Sequence, residues 1–406
     1  MKIKLQQLSN NLEGDLYFDK LHKSIYATDA SVYRKIPLAV SFPKNIDDLK
    51  KLINFANTQN ISLIPRTAGT SLAGQCVGDG IVVDLSKHFT KILAFDEKNK
   101  TVTVQPGVIR DELNLFLAPF HLFFGPNTST TNRCMIGGMV GNNSSGTTSI
   151  QYGVTRDKVI CLKTILSDTS EVSFNSLSAE EFRIKMRGNT LESKIYNTLF
   201  NELSKPEVQD EITKEFPKKS IHRRNNGYAI DELIATSIFS GNDKNINLAK
   251  LLCGSEGTLA FTTEITLKLD DLPPKESVLV AAHFTSIQES MEAVVVAMKH
   301  NLYMCELMDK TILDCTKNNR EQIKNRFFVV DDPEAVLMLE VSAESKEEAI
   351  KLADDLISDL QKNKFGYAYP KLIGNDINKA ISLRAAGLGL LGNIIGDNKA
   401  VACIED

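Results

Sequence analysis

The chain has 406 residues and a mass of 45.0 kDa, enough for two or three domains and a large core. Hydrophobic residues make up 42% and charged residues 24%, close to the globular average, which excludes a disordered or fibrous chain. With 47 Lys and Arg against 51 Asp and Glu the formal net charge is −4, so the basic footprint of a nucleic-acid binder is missing and any anion site must be local.

From 45 to 57 the apolar residues Leu49, Leu52, Ile53 and Ala56 recur at helical spacing after Asn45 as cap, and the β-rich run Ile61–Pro65 follows. Further β-rich runs are Ile81–Leu85 and the alternating Thr101–Gln105. Nine of the 23 glycines fall in 69–80 and 137–153, where even spreading would place about 1.6, so two specialised loops are expected. A helix over 247–253 runs into a long strand over 258–269. Pro273-Pro274 then marks a boundary, dividing the chain into domains 1–271, with its core from about 38, and 272–406. The second part reads strand 277–284, helix 286–301, strand 303–308, strand 335–342, helix 346–363 and strand 365–370. Capping-box spacing at Ser286/Glu289 and Ser345/Glu348 supports both helix starts. This βαββαβ order is the ferredoxin-like arrangement, an antiparallel sheet with helices on one face.

Seven cysteines, at 76, 134, 161, 253, 305, 315 and 403, are odd in number and form no CxxC pair, which argues against a disulfide framework and fits a reducing compartment. No apolar run reaches signal-peptide or membrane-span length, so the expectation is a cytoplasmic protein without a transmembrane segment. Peripheral membrane contact through a partner stays open. The six histidines are scattered with no ligand spacing, and no metal site is expected. The true GxGxxG at 387–392 follows a helical pattern rather than a strand and stands 14 residues from the end of the sequence, so it is not a dinucleotide fingerprint.

Three segments carry chemistry. Arg66, Thr67, Ala68, Gly69, Thr70 and Ser71, with Gln75 shortly after, form a side-chain-poor turn whose amides can converge on a phosphate or diphosphate; a tight hairpin loop with Ser and Thr for solubility is the other reading. In the second segment, Gly137 and Gly138 permit close approach of a flat ring. Pro126, Thr128, Asn142, Ser144 and Gly153 flank them, with neutral donors and acceptors for a polar heterocycle; a long surface loop is the alternative. The third holds Glu256 and Gly257 in Gly254-Ser255-Glu256-Gly257, for which a helix cap followed by a turn is a sufficient structural account.

Together these segments resemble the FAD-linked oxidase family of the vanillyl-alcohol-oxidase or PCMH type, in the branch that includes glycolate oxidase, D-lactate dehydrogenase and D-2-hydroxyglutarate dehydrogenase. The likeness runs from Tyr26-Ala27-Thr28-Asp29 to the C-terminus. It implies an α+β fold, a two-part PCMH-type FAD-binding domain followed by the ferredoxin-like cap. It also implies that Arg66–Ser71 and Gln75 wrap the FAD pyrophosphate, that Pro126, Thr128, Gly137, Gly138, Asn142, Ser144 and Gly153 line the dinucleotide and flavin, and that Glu256 and Gly257 lie beside them. Many relatives link the flavin through a His where this sequence has Thr70, so the FAD is expected to be non-covalent. Asn225 and Tyr228 fall in a segment that reaches the flavin region in the family; a basic turn is equally open. Arg384 resembles the arginine that grips the substrate carboxylate, against a solvated helix arginine as the plain reading. The activity implied is oxidation of a small D-2-hydroxy acid by hydride transfer to flavin N5, with an unnamed electron acceptor. Longer relatives continue into a His-rich cluster and iron–sulfur cysteine motifs that are not found here. The expectation is therefore a truncated reading frame or one component of a split enzyme whose partner chain supplies that region.

Overall fold

The computed structural model describes every residue except 222, 225, 226, 318, 388 and 390–406. Two compact units emerge. One contains Met1–Ser145 and Gly153–Asp271; the other contains Gly146–Tyr152 and the described chain from Leu272 onward.

The first unit holds two sheets. Strands β1 (Asp15–Tyr17), β2 (Ala39–Phe42), β3 (Leu63–Arg66) and β4 (Ile81–Asp84) form a sheet of order β1-β2-β4-β3, in which β2 and β3 both run parallel to β4. The helix Ile46–Gln59 links β2 to β3, and Leu49, Leu52, Ile53 and Ala56 face its core as the spacing predicts. Asn45 caps it, accepting the Asp48 N–H at 3.0 Å, and Asn60 closes it in the left-handed conformation. Strands β5 (Ile92–Asp96), β6 (Thr101–Val104), β8 (Val159–Ile165), β9 (Glu171–Phe174) and β10 (Phe261–Lys268) build an antiparallel sheet of order β5-β6-β10-β8-β9. The short pair β7 (Leu122–Phe123) and β11 (Asp270–Asp271) lies beside it in sequence. Alternation along β10 buries Phe261, Thr263, Ile265 and Leu267, the period of a strand with one face on a core.

In the second unit β12 (Glu276–Phe284), β13 (Leu302–Asp309), β14 (Ala335–Ala343) and β15 (Lys371–Ile373) form an antiparallel sheet of order β13-β14-β12-β15. That is the ferredoxin-like order, with helices Ile287–Ala297 and Lys346–Lys362 packed on one face. The other face is covered too: Leu313 from the helix Lys310–Lys317, and Ile377, Ala380 and Leu383 from the helix Asn375–Ala385, pack on Leu279, Met304 and Met338. The strand expected over 365–370 lies later, at β15. Lys364 and Gly366 hold positive φ and break the extended run, and only Ala368 makes an isolated bridge, to His283. The short helix Ser149–Tyr152 belongs to this unit, where Gln151 Nε2 donates to Asn301 Oδ1 at 2.7 Å and to the Leu302 carbonyl at 2.9 Å. Among the described residues no helix is long and apolar enough to cross a membrane.

Candidate functional site

The loop from 67 to 80 joins β3 to β4, and because these strands are parallel it cannot be a hairpin. It leaves the carboxyl end of β3, the end at which open sheets with parallel strands present their ligand loops. Arg66 donates through Nη1 to the Thr28 carbonyl at 2.8 Å and lies over the Tyr26 ring, 5.0 Å from its centroid. Tyr26 in turn donates its hydroxyl to Asp84 Oδ2 at 2.6 Å; burial, and then that carboxylate, push the phenol upward. Burial likewise pushes the nearby Cys76 thiol up to about 12. A thiol that keeps its proton is a poor nucleophile.

Gly69 takes φ +66°, so the turn reverses where a side chain would be strained. The Ser71 hydroxyl oxygen is buried with no hydrogen-bond partner, an unmet polar group. The second segment approaches from the helix Ile136–Asn142. A Cβ on Gly138 would stand 2.9 Å from Thr67 Oγ1, and Gln75 Nε2 reaches Asn142 Oδ1 at 3.3 Å. The third segment closes the ring: the Glu256 N–H donates to the Gly141 carbonyl at 2.8 Å, and a Cβ on Gly257 would come within 2.9 Å of Pro65 Cγ. Glu256 and Gly257 both hold positive φ, 53° and 74°.

Three sequence segments, 65–75, 137–144 and 254–257, thus meet within one unit. The remaining residues singled out from sequence stand around them in different ways. Gly137 faces Pro106, whose Cβ would be 2.5 Å from an added methyl, so its smallness serves packing. Ser144 accepts from Asn142 Nδ2 at 3.2 Å, and its neighbour Ser145 accepts the Asn127 N–H at 3.0 Å, which ties Pro126 and Thr128 to the same region. Pro126 is buried, its carbonyl held by Arg110 Nε at 3.1 Å, and Thr128 Oγ1 lies 3.4 Å from Cys134 Sγ. Gly153 serves a turn at φ +70° against Asp157. A cleft of about 180 Å³ opens between Gln75, Asn142, Tyr228 and Gly254–Glu256, with the Tyr228 hydroxyl 2.8 Å from Thr258 Oγ1. Asn225 lies outside the described residues. Arg384 is in the other unit, on the helix Asn375–Ala385, paired with Glu306 of β13.

The arrangement suits a dinucleotide. A run of small residues with an unpartnered hydroxyl at Ser71 offers donors to a phosphate oxygen, while the glycines let the three turns approach closely: a Cβ on Gly138 would meet Thr67 and one on Gly257 would meet Pro65. Sequence reasoning missed Asp84, Arg156 and Glu306, each of which reads locally as an ordinary polar residue, and took Tyr26 only as the start of the family likeness.

Comparison with known proteins gives the same answer. The FAD binding domain matches residues 37–175, and the C-terminal domain of FAD linked oxidases matches 273–406. The chain belongs to the FAD-linked oxidase family. Among its relatives, D-2-hydroxyglutarate dehydrogenase of Haemophilus influenzae is 32% identical over 98% of this chain and 39% of that protein. The glycolate oxidase subunit GlcD of Bacillus subtilis is 38% identical over 36% of this chain and 31% of that protein. This FAD-linked oxidase therefore spans about two fifths of the length of the dehydrogenase it matches. A solved structure of alkyldihydroxyacetonephosphate synthase superposes with a TM-score of 0.64 at 16% identity, covering 97% of this chain and 64% of that one, which establishes the fold.

Proposed function

We propose that this FAD-linked oxidase holds FAD without a covalent bond and oxidises a D-2-hydroxy acid of the D-lactate, D-2-hydroxyglutarate or glycolate class. The observation that carries the cofactor reading is the convergence of three side-chain-poor turns, the first of which holds the buried, unpartnered Ser71 hydroxyl. The substrate class follows the relatives' activities. FAD, when bound, would supply the two-electron acceptor for the hydride at C2 of the acid, with the hydroxyl proton released to water as the 2-oxo acid forms.

The chain's residues supply placement and charge. Arg66 to Ser71, with Gln75, would hold the diphosphate through main-chain amides and hydroxyls, each charge-assisted bond worth about 1.5–3 kcal/mol. Pro126, Thr128, Gly137, Gly138, Asn142, Ser144, Gly153, Glu256 and Gly257 would shape the space for the dinucleotide. Thr70 has no ring nitrogen with which to link a flavin, which is the reason for a non-covalent site. Arg384 would grip the substrate carboxylate. Its Nη2 is held by Glu306 and, among the described residues, that is its one partner, so the rest of the guanidinium fork is unspent.

A second reading is favoured by the coverage of the relatives: the chain holds flavin but needs a further segment or partner chain for turnover. One anaerobic experiment separates the two. FAD-loaded protein is mixed with D- and L-lactate, D- and L-2-hydroxyglutarate, and glycolate while the flavin band near 450 nm is followed. Bleaching by a D-acid supports the dehydrogenase reading, and stable yellow protein that no acid bleaches supports the second. Failure to take up FAD at micromolar concentration sinks both.

A further inference from the structure

Arg156 lies in the short helix Thr155–Lys158, 5% exposed, and its guanidinium touches only main-chain carbonyls among the described residues. Nε donates to Lys250 at 3.1 Å and Nη2 to Cys253 at 2.6 Å. Lys250 reciprocates from the helix Ala249–Leu252: its ammonium donates to the carbonyls of Arg156 and of Val159, the latter at 3.0 Å. The Arg156 N–H is taken by Asn143 Oδ1 at 2.8 Å, directly after the glycine-bearing helix. From Cys253 the chain enters Gly254, whose N–H returns to the Val140 carbonyl at 3.0 Å. The two cations therefore clasp the second and third cofactor turns together.

Their charge is poorly balanced. Among the described residues neither Arg156 nor Lys250 pairs with a carboxylate. Asp231 and Glu232, the acidic groups whose fields reach Arg156, are engaged by Arg224, and Glu232 also by Lys244 at 3.2 Å. Asp157, which acts on Lys250, spends an oxygen on the Val154 N–H at 2.9 Å. Burial lowers the proton affinity of both cations, the mark of charge kept in poorly solvating surroundings. Such an arrangement is costly unless an anion shares it. Cys253, whose carbonyl Arg156 holds, immediately precedes the Gly254–Glu256 wall of the cleft.

We infer that Arg156 and Lys250 form a positioning clasp for FAD whose uncompensated positive charge favours the reduced cofactor and so raises its reduction potential. This rests on the reading that FAD lies where the three turns meet. Two-electron reduction with uptake of one proton leaves the ring one unit more negative. Nearby cations in a weakly screened site stabilise that charge more than they stabilise the neutral oxidised ring.

The test compares charge-keeping variants, Arg156→Lys and Lys250→Arg, with charge-removing ones, Arg156→Gln and Lys250→Gln. Each is loaded with FAD and its midpoint potential read by dye equilibration at fixed pH and ionic strength. Each charge-removing variant is expected to shift the potential negative, changing the ratio of affinities for reduced and oxidised FAD about tenfold, or about 30 mV for a two-electron couple. Charge-keeping variants should stay within about threefold of the parent. A charge-removing variant that retains FAD at an unmoved potential overturns the inference, as does an equal shift in its charge-keeping counterpart. Should Arg156→Gln fail to fold, Lys250→Gln, at a half-buried position, decides the matter by itself. Parent protein that takes up no FAD would refute the cofactor placement instead, and that outcome is distinct from an unmoved potential.

Discussion

At Gly138 a single absent methyl group sets the distance between two turns. The space above its Cα is bounded by Thr67 Oγ1 at 2.9 Å, so a side chain there must turn the Thr67 hydroxyl aside from its place in the loop that follows β3. Gly141, one turn on, has room for contact at 3.8 Å, so the tightness is local to Gly138. Gly138→Val adds a branched side chain against Thr67, a residue of the turn proposed to hold the diphosphate. FAD affinity should fall at least tenfold, about 1.4 kcal/mol, while the melting temperature of the FAD-free protein changes little because the displaced neighbour is a rotatable hydroxyl. Flavin fluorescence quenching on titration measures the affinity, and an unchanged dissociation constant removes Gly138 from the site.

Elements with a strong local period were legible in the sequence. The helix Ile46–Gln59, its Asn45 cap and the succession of strands and helices in the second unit, apart from its last strand, follow from spacing that each segment contains by itself. The parallel pairing of β3 with β4 did not, because strand direction is decided by partners distant in sequence, and that pairing is what excludes a hairpin. Arg156 escaped notice for the same reason: its partners, Lys250 and Cys253, are about a hundred positions away. His283 on β12 shows such non-local pinning with a titratable group. It is fully buried, it donates from Nδ1 to the Ala281 carbonyl at 2.9 Å, and its Nε2 accepts the Val330 N–H at 3.1 Å, which fixes the neutral tautomer. Burial holds its proton affinity below the ordinary histidine value, against the pull of its main-chain bonds and of Asp331; the Tyr367 ring packs near it. The unfolded chain takes up a proton as pH falls through about 6.5, and the native state does so only at lower pH, so stability declines on acidification from neutral. His283→Gln should be less stable at pH 8 but lose less between pH 7.5 and 5.5 than the parent. Urea midpoints across that range test it, and parallel pH profiles would show that His283 does not carry the dependence.

For the whole molecule, the two compact units make different demands on FAD. Every residue proposed to hold the cofactor falls within Met1–Ser145 and Gly153–Asp271, whereas Arg384 and Glu306 belong to the unit built on β12 to β15. That second unit has its own sheet, covered on both faces by separate apolar clusters, so its core needs no contribution from a bound dinucleotide. A ligand that binds only folded protein stabilises it by about 2.7 kcal/mol when present at a hundred times its dissociation constant. FAD should therefore raise the unfolding transition of the first unit by several degrees and leave the transition of the second unit in place. Scanning calorimetry of the full chain with and without FAD reads both. Two transitions of which one moves would match this division of labour. Equal movement of both, or a shift of the wrong one on assignment by site-specific probes at Cys161 and Cys315, would mean that cofactor binding energy is shared across the molecule.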